Sequence, residues 1–192
     1  MDYFLVKKYC GCKACIENSI IENPYEIFEK RFSREDISLP FDFRASALCR
    51  YECEKFNSKA TCPPNIPDMP FFQRTLNEYD FIHVLGRKYP YNDGHFLKHW
   101  RTYSTNEIHA LLLKKEKDFF MEGQVYAKAF IGGSCKVCSS ENCDPKRCRI
   151  PGTGRIPLEA TGINIFKLMR SMDLEYEEPP VNYFWRIGAV LF

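Results

Sequence analysis

Apolar positions in this chain come in short bursts whose period changes from one burst to the next. Residues 2–8 alternate loosely between apolar and polar side chains and predict a strand. After Asn23-Pro24, the spacing of Ile27, Phe28 and Phe32 suits one helical face and predicts a short helix over residues 25–32. A charged connector over 33–40 follows, and residues 44–48 lead into Cys49 as either a helical turn or a strand end. Residues 69–78 read as a helix. Residues 79–86, aromatic and branched and closed by glycine, read as a central strand. Ser104 or Thr105 is placed to cap a long helix through Met121, with Ile108, Leu111, Leu112 and Phe119 on its apolar stripe and Gly123 as its stop. Residues 125–131 predict a second core strand. Pro157 suits a first helical position ahead of a helix over 158–172, with Ile163, Phe166 and Met169 on one side. Glu177-Glu178-Pro179-Pro180 breaks that helix, and residues 183–192 are apolar enough to require burial as a last strand. Such alternation argues an α/β fold: a small sheet with helices packed on it and cysteine-rich, cluster-binding loops at one edge.

Composition narrows the picture. With 192 residues, 45% of them hydrophobic, the chain reads as one metal-binding domain over 1–192, in which 1–40 form an N-terminal extension. A net charge of +2, from 27 basic and 25 acidic residues, gives no global field that would draw in nucleic acid. The N-terminus has an acid before its short apolar run and lysines after it, the reverse of a secretory signal. No apolar stretch approaches the roughly 20 residues of a membrane helix, so a soluble, cytoplasmic protein without a membrane partner is expected.

Ten cysteines in such a chain are better explained by metal ligation than by disulfides. They fall into three groups. Cys135, Cys138, Cys143 and Cys148 follow C-x2-C-x4-C-x4-C, in which two thiolates grip one centre from a single turn and the second pair completes a tetrahedron. Four-sulfur sites belong to zinc or to iron–sulfur clusters. Three features favour a 4Fe-4S cluster here, with zinc as the alternative: the approach through Gly132-Gly133, the bases Lys136, Lys146, Arg147 and Arg149, and the presence of a further cysteine set.

That further set is Cys49, Cys53 and Cys62, ended by Pro63-Pro64, which is expected to hold the chain extended. It has no local fourth ligand unless Cys10, Cys12 or Cys15, the third group, folds back to it. Left incomplete, it would present an open iron, the position that catalysis at metals uses. Arg149 and Arg155 can donate to cluster sulfurs or to an anionic ligand, with Glu159 orienting one of them near a helix start. His95 and His99 stand four apart without the glutamate of a zinc-protease motif and read as surface or packing residues. No hydrolase elbow, P-loop or dinucleotide fingerprint appears.

The stretch 49–64, with Cys62-Pro63-Pro64, and the stretch 132–165, with Cys148-Arg149-Ile150-Pro151 followed by Arg155-Ile156-Pro157-Leu158-Glu159-Ala160-Thr161-Gly162-Ile163, carry a resemblance. They resemble the cysteine-rich "predicted metal-binding protein" family of anaerobic bacteria and archaea, a domain of unknown function. The resemblance covers most of the chain after about residue 40. It implies cysteine-bound metal, iron–sulfur in kind, at Cys135, Cys138, Cys143 and Cys148, with Cys49, Cys53 and Cys62 as a second ligand set. It implies no reaction. A serine is usual in that family where Leu158 stands, and the Cys10-Cys12-Cys15 loop lies outside the resemblance.

The functional expectation is an iron–sulfur protein that passes electrons to a redox protein partner or serves as a subunit of a reductase. An enzyme of sulfur-transfer or desulfidase type, taking a small thiol or sulfide at an open iron, is the second reading. A zinc-stabilised structural or interaction module is the third.

Overall fold

A computed structural model of the chain describes residues 26–91, 94–138 and 142–192, with 94–100 described by backbone alone. The expected strand over 2–8 and the Cys10, Cys12 and Cys15 loop lie outside the described residues. The element order is β1 (Ile27–Ser33), α1 (Phe43–Tyr51), α2 (Met69–Leu76), β2 (Phe81–Pro90), α3 (Gly94–Met121), β3 (Lys128–Phe130), a 3₁₀ turn (Glu159–Thr161), α4 (Ile165–Ser171) and β4 (Tyr183–Leu191). The strands form one sheet in the order β1-β2-β4-β3, with every neighbouring pair antiparallel. The fold is α/β.

The period-two alternation of the strands sorts their side chains to two faces. Ile82, Val84, Ile187, Ala189 and Leu191 point into one cluster with Phe72 and Leu76 of α2, Leu168 and Met169 of α4, and Leu158 and Ile163. Leu85, Ala129, Ile131 and Val190 join the other, against Ile108, Leu112 and Phe119 of α3. The sheet is therefore covered on both sides. Each of these buried aliphatic side chains contributes roughly 1.5–3 kcal/mol by leaving water. Leu158 is one of the fully buried ones.

Three expectations are corrected. Residues 27–33 form a strand, pairing Phe28 with Gly86 and Phe32 with Ile82, rather than a helix. An interval of four returns a side chain to the same face in both a helix and a strand, so the spacing of Phe28 and Phe32 satisfied either. Ser104 and Thr105 do not start α3, which begins at Gly94. They lie inside it, where Thr105 Oγ1 donates to the Arg101 carbonyl at 2.8 Å and Ser104 Oγ donates to the same oxygen at 3.3 Å. The helix expected over 158–172 is two elements. Gly162, at φ 95°, closes the 3₁₀ turn, and Asn164 caps α4 by accepting from the Lys167 amide.

Candidate metal centre

Asp42 starts α1 by accepting from the Arg44 amide at 3.0 Å, and Cys49 sits in the last turn of that helix. From Cys53 to Ile66 the chain runs through successive turns: the Cys62 amide donates to the Lys59 carbonyl at 3.1 Å, the Asn65 amide to Cys62 at 3.0 Å and the Asn57 amide to Pro63 at 2.8 Å. Cys62 is thus held by local turn bonds around a cis Pro63-Pro64 peptide, and the extended stretch expected here does not form. Cys62 is buried, Cys49 half-buried and Cys53 exposed, with the Lys55 amide donating to Cys53 Sγ at 3.4 Å.

These three sulfurs share one electrostatic field. Burial pushes the Cys49 thiol up to about 11, and the negative charges of Glu159 and then Cys53 add to the shift. Burial pushes Cys62 up to about 12, reinforced by Cys53, Glu159 and Cys49. Neither thiol is a thiolate at neutral pH without a cation to hold it.

A group of cations gathers about Lys136, on the Cys62 side of the set. Lys59 is 3% exposed and makes no ion pair among the described residues. Lys136 is half-buried. Its ammonium is depressed first by burial and then by the charges of Lys55, Lys59 and Arg186, while Cys62 acts in the opposite direction. Arg186 comes from β4 and crosses the backbone at Gly132-Gly133: a methyl at Gly132 would lie 2.3 Å from the Ile187 carbonyl oxygen and 2.9 Å from Arg186 Cδ. At Gly133, with φ 79°, it would lie 2.8 Å from an Arg186 guanidinium nitrogen. The glycine pair makes room for an arginine. The Gly133 amide donates to Glu159 Oε1 at 2.9 Å, and burial raises the Glu159 carboxyl above its ordinary range against the opposing pull of Arg186. Arg186 and Lys59 were missed by sequence reasoning: an arginine in an apolar strand and a lysine in a turn carry no motif.

The other cysteine set follows β3, the edge strand. Cys135 is buried in the apolar cluster under α3, and Cys138, Cys143 and Cys148 are half-buried. A methyl on Gly154 would sit 2.7 Å from Cys148 Sγ and 3.8 Å from Thr61 Cγ2, so Cys148 lies beside the residue that precedes Cys62. Among the described residues, no three His, Cys, Asp or Glu side chains converge on a point that a single ion could occupy.

Arg155 turns away from the thiols. Its Nε and Nη2 donate to Glu116 of α3, and Nη1 and Nη2 donate to the carbonyls of Pro151, Gly152 and Gly154. All five N–H groups are engaged by the protein itself. Glu159 therefore orients neither Arg155 nor the 151–154 turn; it holds Gly133. Arg149 is exposed. The cleft between α2 and β3, lined by Phe71, Phe72, Tyr79, Phe130 and Ile156, is apolar and holds none of the cysteines.

A family model described as "Predicted metal-binding protein (DUF2284)" matches residues 30–192, and the chain belongs to that family. The match takes in both described cysteine sets, Glu159 and Arg186. Searches of curated proteins and of solved structures returned no match. No helix among the described residues is long and apolar enough to cross a membrane.

Proposed function

We propose that this is an iron–sulfur protein with a four-iron cluster on each of its two described cysteine sets, passing electrons to a redox protein partner or within a reductase. One observation carries the reading: the two sets abut. Lys136, between Cys135 and Cys138, lies within charge reach of Cys62, and Cys148 flanks Thr61. Adjacent clusters suit electron transfer, since tunnelling falls steeply with distance.

The donor chemistry fits the group. Cys49 and Cys62 become ligands only as thiolates, and the positive charge of Lys136, within reach of Cys62, favours the anionic, metal-bound state there over the neutral thiol. A bound cluster would supply one-electron redox chemistry, tuned by that charge and by burial. The protein's own part is to hold the sulfurs, offset their charge and limit water at Cys62.

Metal and inorganic sulfide are to be quantified on anaerobically purified protein, followed by paramagnetic resonance after reduction. Iron and sulfide in near-equal amounts, with a signal on reduction, is the expected result. Zinc without sulfide would refute the cluster and leave the structural module.

A second reading, sulfur transfer or desulfidation at an open iron, has in its favour that this set supplies three sulfurs, Cys49, Cys53 and Cys62, from 49–62 among the described residues. Release of sulfide from a small thiol by the reconstituted protein would select it over electron transfer.

A further inference from the structure

We infer that the cleft between α2 and β3 is a binding site for a small aromatic carboxylate, its ring held between the aromatic walls and its acid group on Lys128. The site uses none of the cysteines and is independent of whatever metal they hold.

The cleft opens where two stretches of chain diverge. Residues 156–158 run alongside Ile131, whose amide donates to the Ile156 carbonyl at 3.1 Å and whose carbonyl accepts from the Leu158 amide at 2.8 Å. One residue earlier, Arg155 reaches away to Glu116 of α3. Between this turn, β3 and α2 a space of about 390 Å³ is left. That lies toward the lower end of the roughly 300–1,000 Å³ of small-molecule sites and suits a compact ligand. The walls are fixed before any ligand arrives. Phe72 and Phe130 are buried and meet edge to face at 6.4 Å, and Phe71 packs edge to face on Phe72 at 5.6 Å.

The rings of Phe71, Phe72, Tyr79 and Phe130 line the space, with Ile156 beside them. Phe71 is 41% exposed, so a large apolar ring stands in water at the mouth. An occupant that covers it removes apolar surface from water. Ring edges and faces presented together favour an aromatic body over an aliphatic one of equal size.

Charge decides the head group. Lys128, exposed at the start of β3, lines the cleft and makes no ion pair among the described residues. Arg155, the other cation of the lining, is occupied by Glu116 and by the carbonyls of Pro151, Gly152 and Gly154, so the Glu116 charge is already met. The Tyr79 hydroxyl has no protein partner among the described residues. Burial, and then the charge of Glu116, raise its pKa, which keeps it a donor. One free ammonium and one free hydroxyl beside apolar walls complement a single negative charge, and a carboxylate can accept from both.

The test titrates the full chain by calorimetry with 3-phenylpropanoate, its neutral amide and hexanoate. Saturable binding of 3-phenylpropanoate at one site per chain, tighter than that of either comparison compound, is expected. Lys128→Met should weaken the acid about threefold to tenfold and leave the amide unchanged. Thr75→Phe, at a half-buried position of the lining, should fill the cleft and abolish binding of the acid and the amide alike. Phe71→Ala, at an exposed position, should weaken both and reads the placement even if Thr75→Phe folds poorly. Absence of binding by the acid, equal affinity for the acid and the amide, or wild-type affinity in Lys128→Met overturns the proposal. Equal affinity for hexanoate removes the aromatic preference and overturns it too, and wild-type affinity in Phe71→Ala removes the site from this cleft.

Discussion

Arg155 and Glu116 form a two-pronged ion pair that ties the turn after Cys148 to α3, with Arg155 Nε donating at 2.9 Å and Nη2 donating to the second carboxylate oxygen. Their side chains are 6% and 15% exposed, and Glu116 also accepts from the Ala129 amide of β3. One carboxylate thus joins a helix, an edge strand and the turn next to the cysteines.

Removing one member leaves the other charge buried without its partner. Arg155→Met or Glu116→Gln should each lower unfolding free energy by about 3–5 kcal/mol in urea titrations of the metal-free protein. The double variant Arg155→Met with Glu116→Leu should lose clearly less than the sum of the two. Single losses under about 1 kcal/mol would show the pair to be dispensable.

Gly132→Ala should be among the most damaging small substitutions in the chain. The added methyl meets the Ile187 carbonyl, a backbone atom of the central strand β4 that cannot swing aside. A loss of about 2–4 kcal/mol is expected from overpacking and displaced backbone, read as a lower thermal midpoint. Gly152→Ala, where nothing lies within 4 Å of the added atom, is the matched control and should be close to neutral.

His109 supplies a pH dependence. It is 3% exposed, its Nε2 meets the Thr153 carbonyl at 2.7 Å, and burial holds its pKa below the ordinary histidine value, with the Thr153 contact opposing. The unfolded chain then takes up a proton, near pH 6.5, before the folded one does. Stability from this group is fully present above about pH 6.5 and is lost as pH falls below it. The urea midpoint should decline between about pH 6.5 and 5, and less steeply in His109→Gln, where the proton has nowhere to bind. A slope identical in the two proteins would rule the residue out.

The raised thiols make metal loading a proton-releasing event. With Cys49 at about 11 and Cys62 at about 12, both enter the metal-free protein protonated at neutral pH. Each must give up its proton to bind. Calorimetry of zinc or ferrous ion binding in buffers of different ionisation enthalpy should therefore report at least two protons released. In the metal-free state these two cysteines should be alkylated by iodoacetamide more slowly than a free thiol. Rapid labelling of Cys62 at pH 7 would contradict its burial.

Much of the architecture could be read from the residues because the first half of β2 and the second half of β4 are runs of branched and aromatic side chains, and Ile108, Leu112 and Phe119 mark the buried stripe of α3. β1 could not. Its two anchors are spaced by four, and only pairing with β2, a contact made some fifty residues away, decides between the two periods. Ser104 and Thr105 misled because a hydroxyl that caps a helix end can equally bond back into the helix. At the site, sequence identified the sulfurs, since cysteine clusters are rare enough to stand out. It could not find Arg186 or Lys59, whose roles come from where the sheet and the turns bring them, nor the partner of Arg155, which lies 39 residues upstream.

The position of β4 in the sheet bears on when the site can exist at all. β3, which leads directly into Cys135, has β4 as its sheet neighbour, and β4 inserts between it and β2. Every cysteine of the chain precedes β4 in sequence, as does Glu159. On the ribosome the sulfurs therefore emerge before the strand that seats β3 and delivers Arg186. The seating of β3 and the crossing of Arg186 over Gly132-Gly133 therefore wait on synthesis of β4, whereas Lys55, Lys59 and Lys136 emerge with the sulfurs.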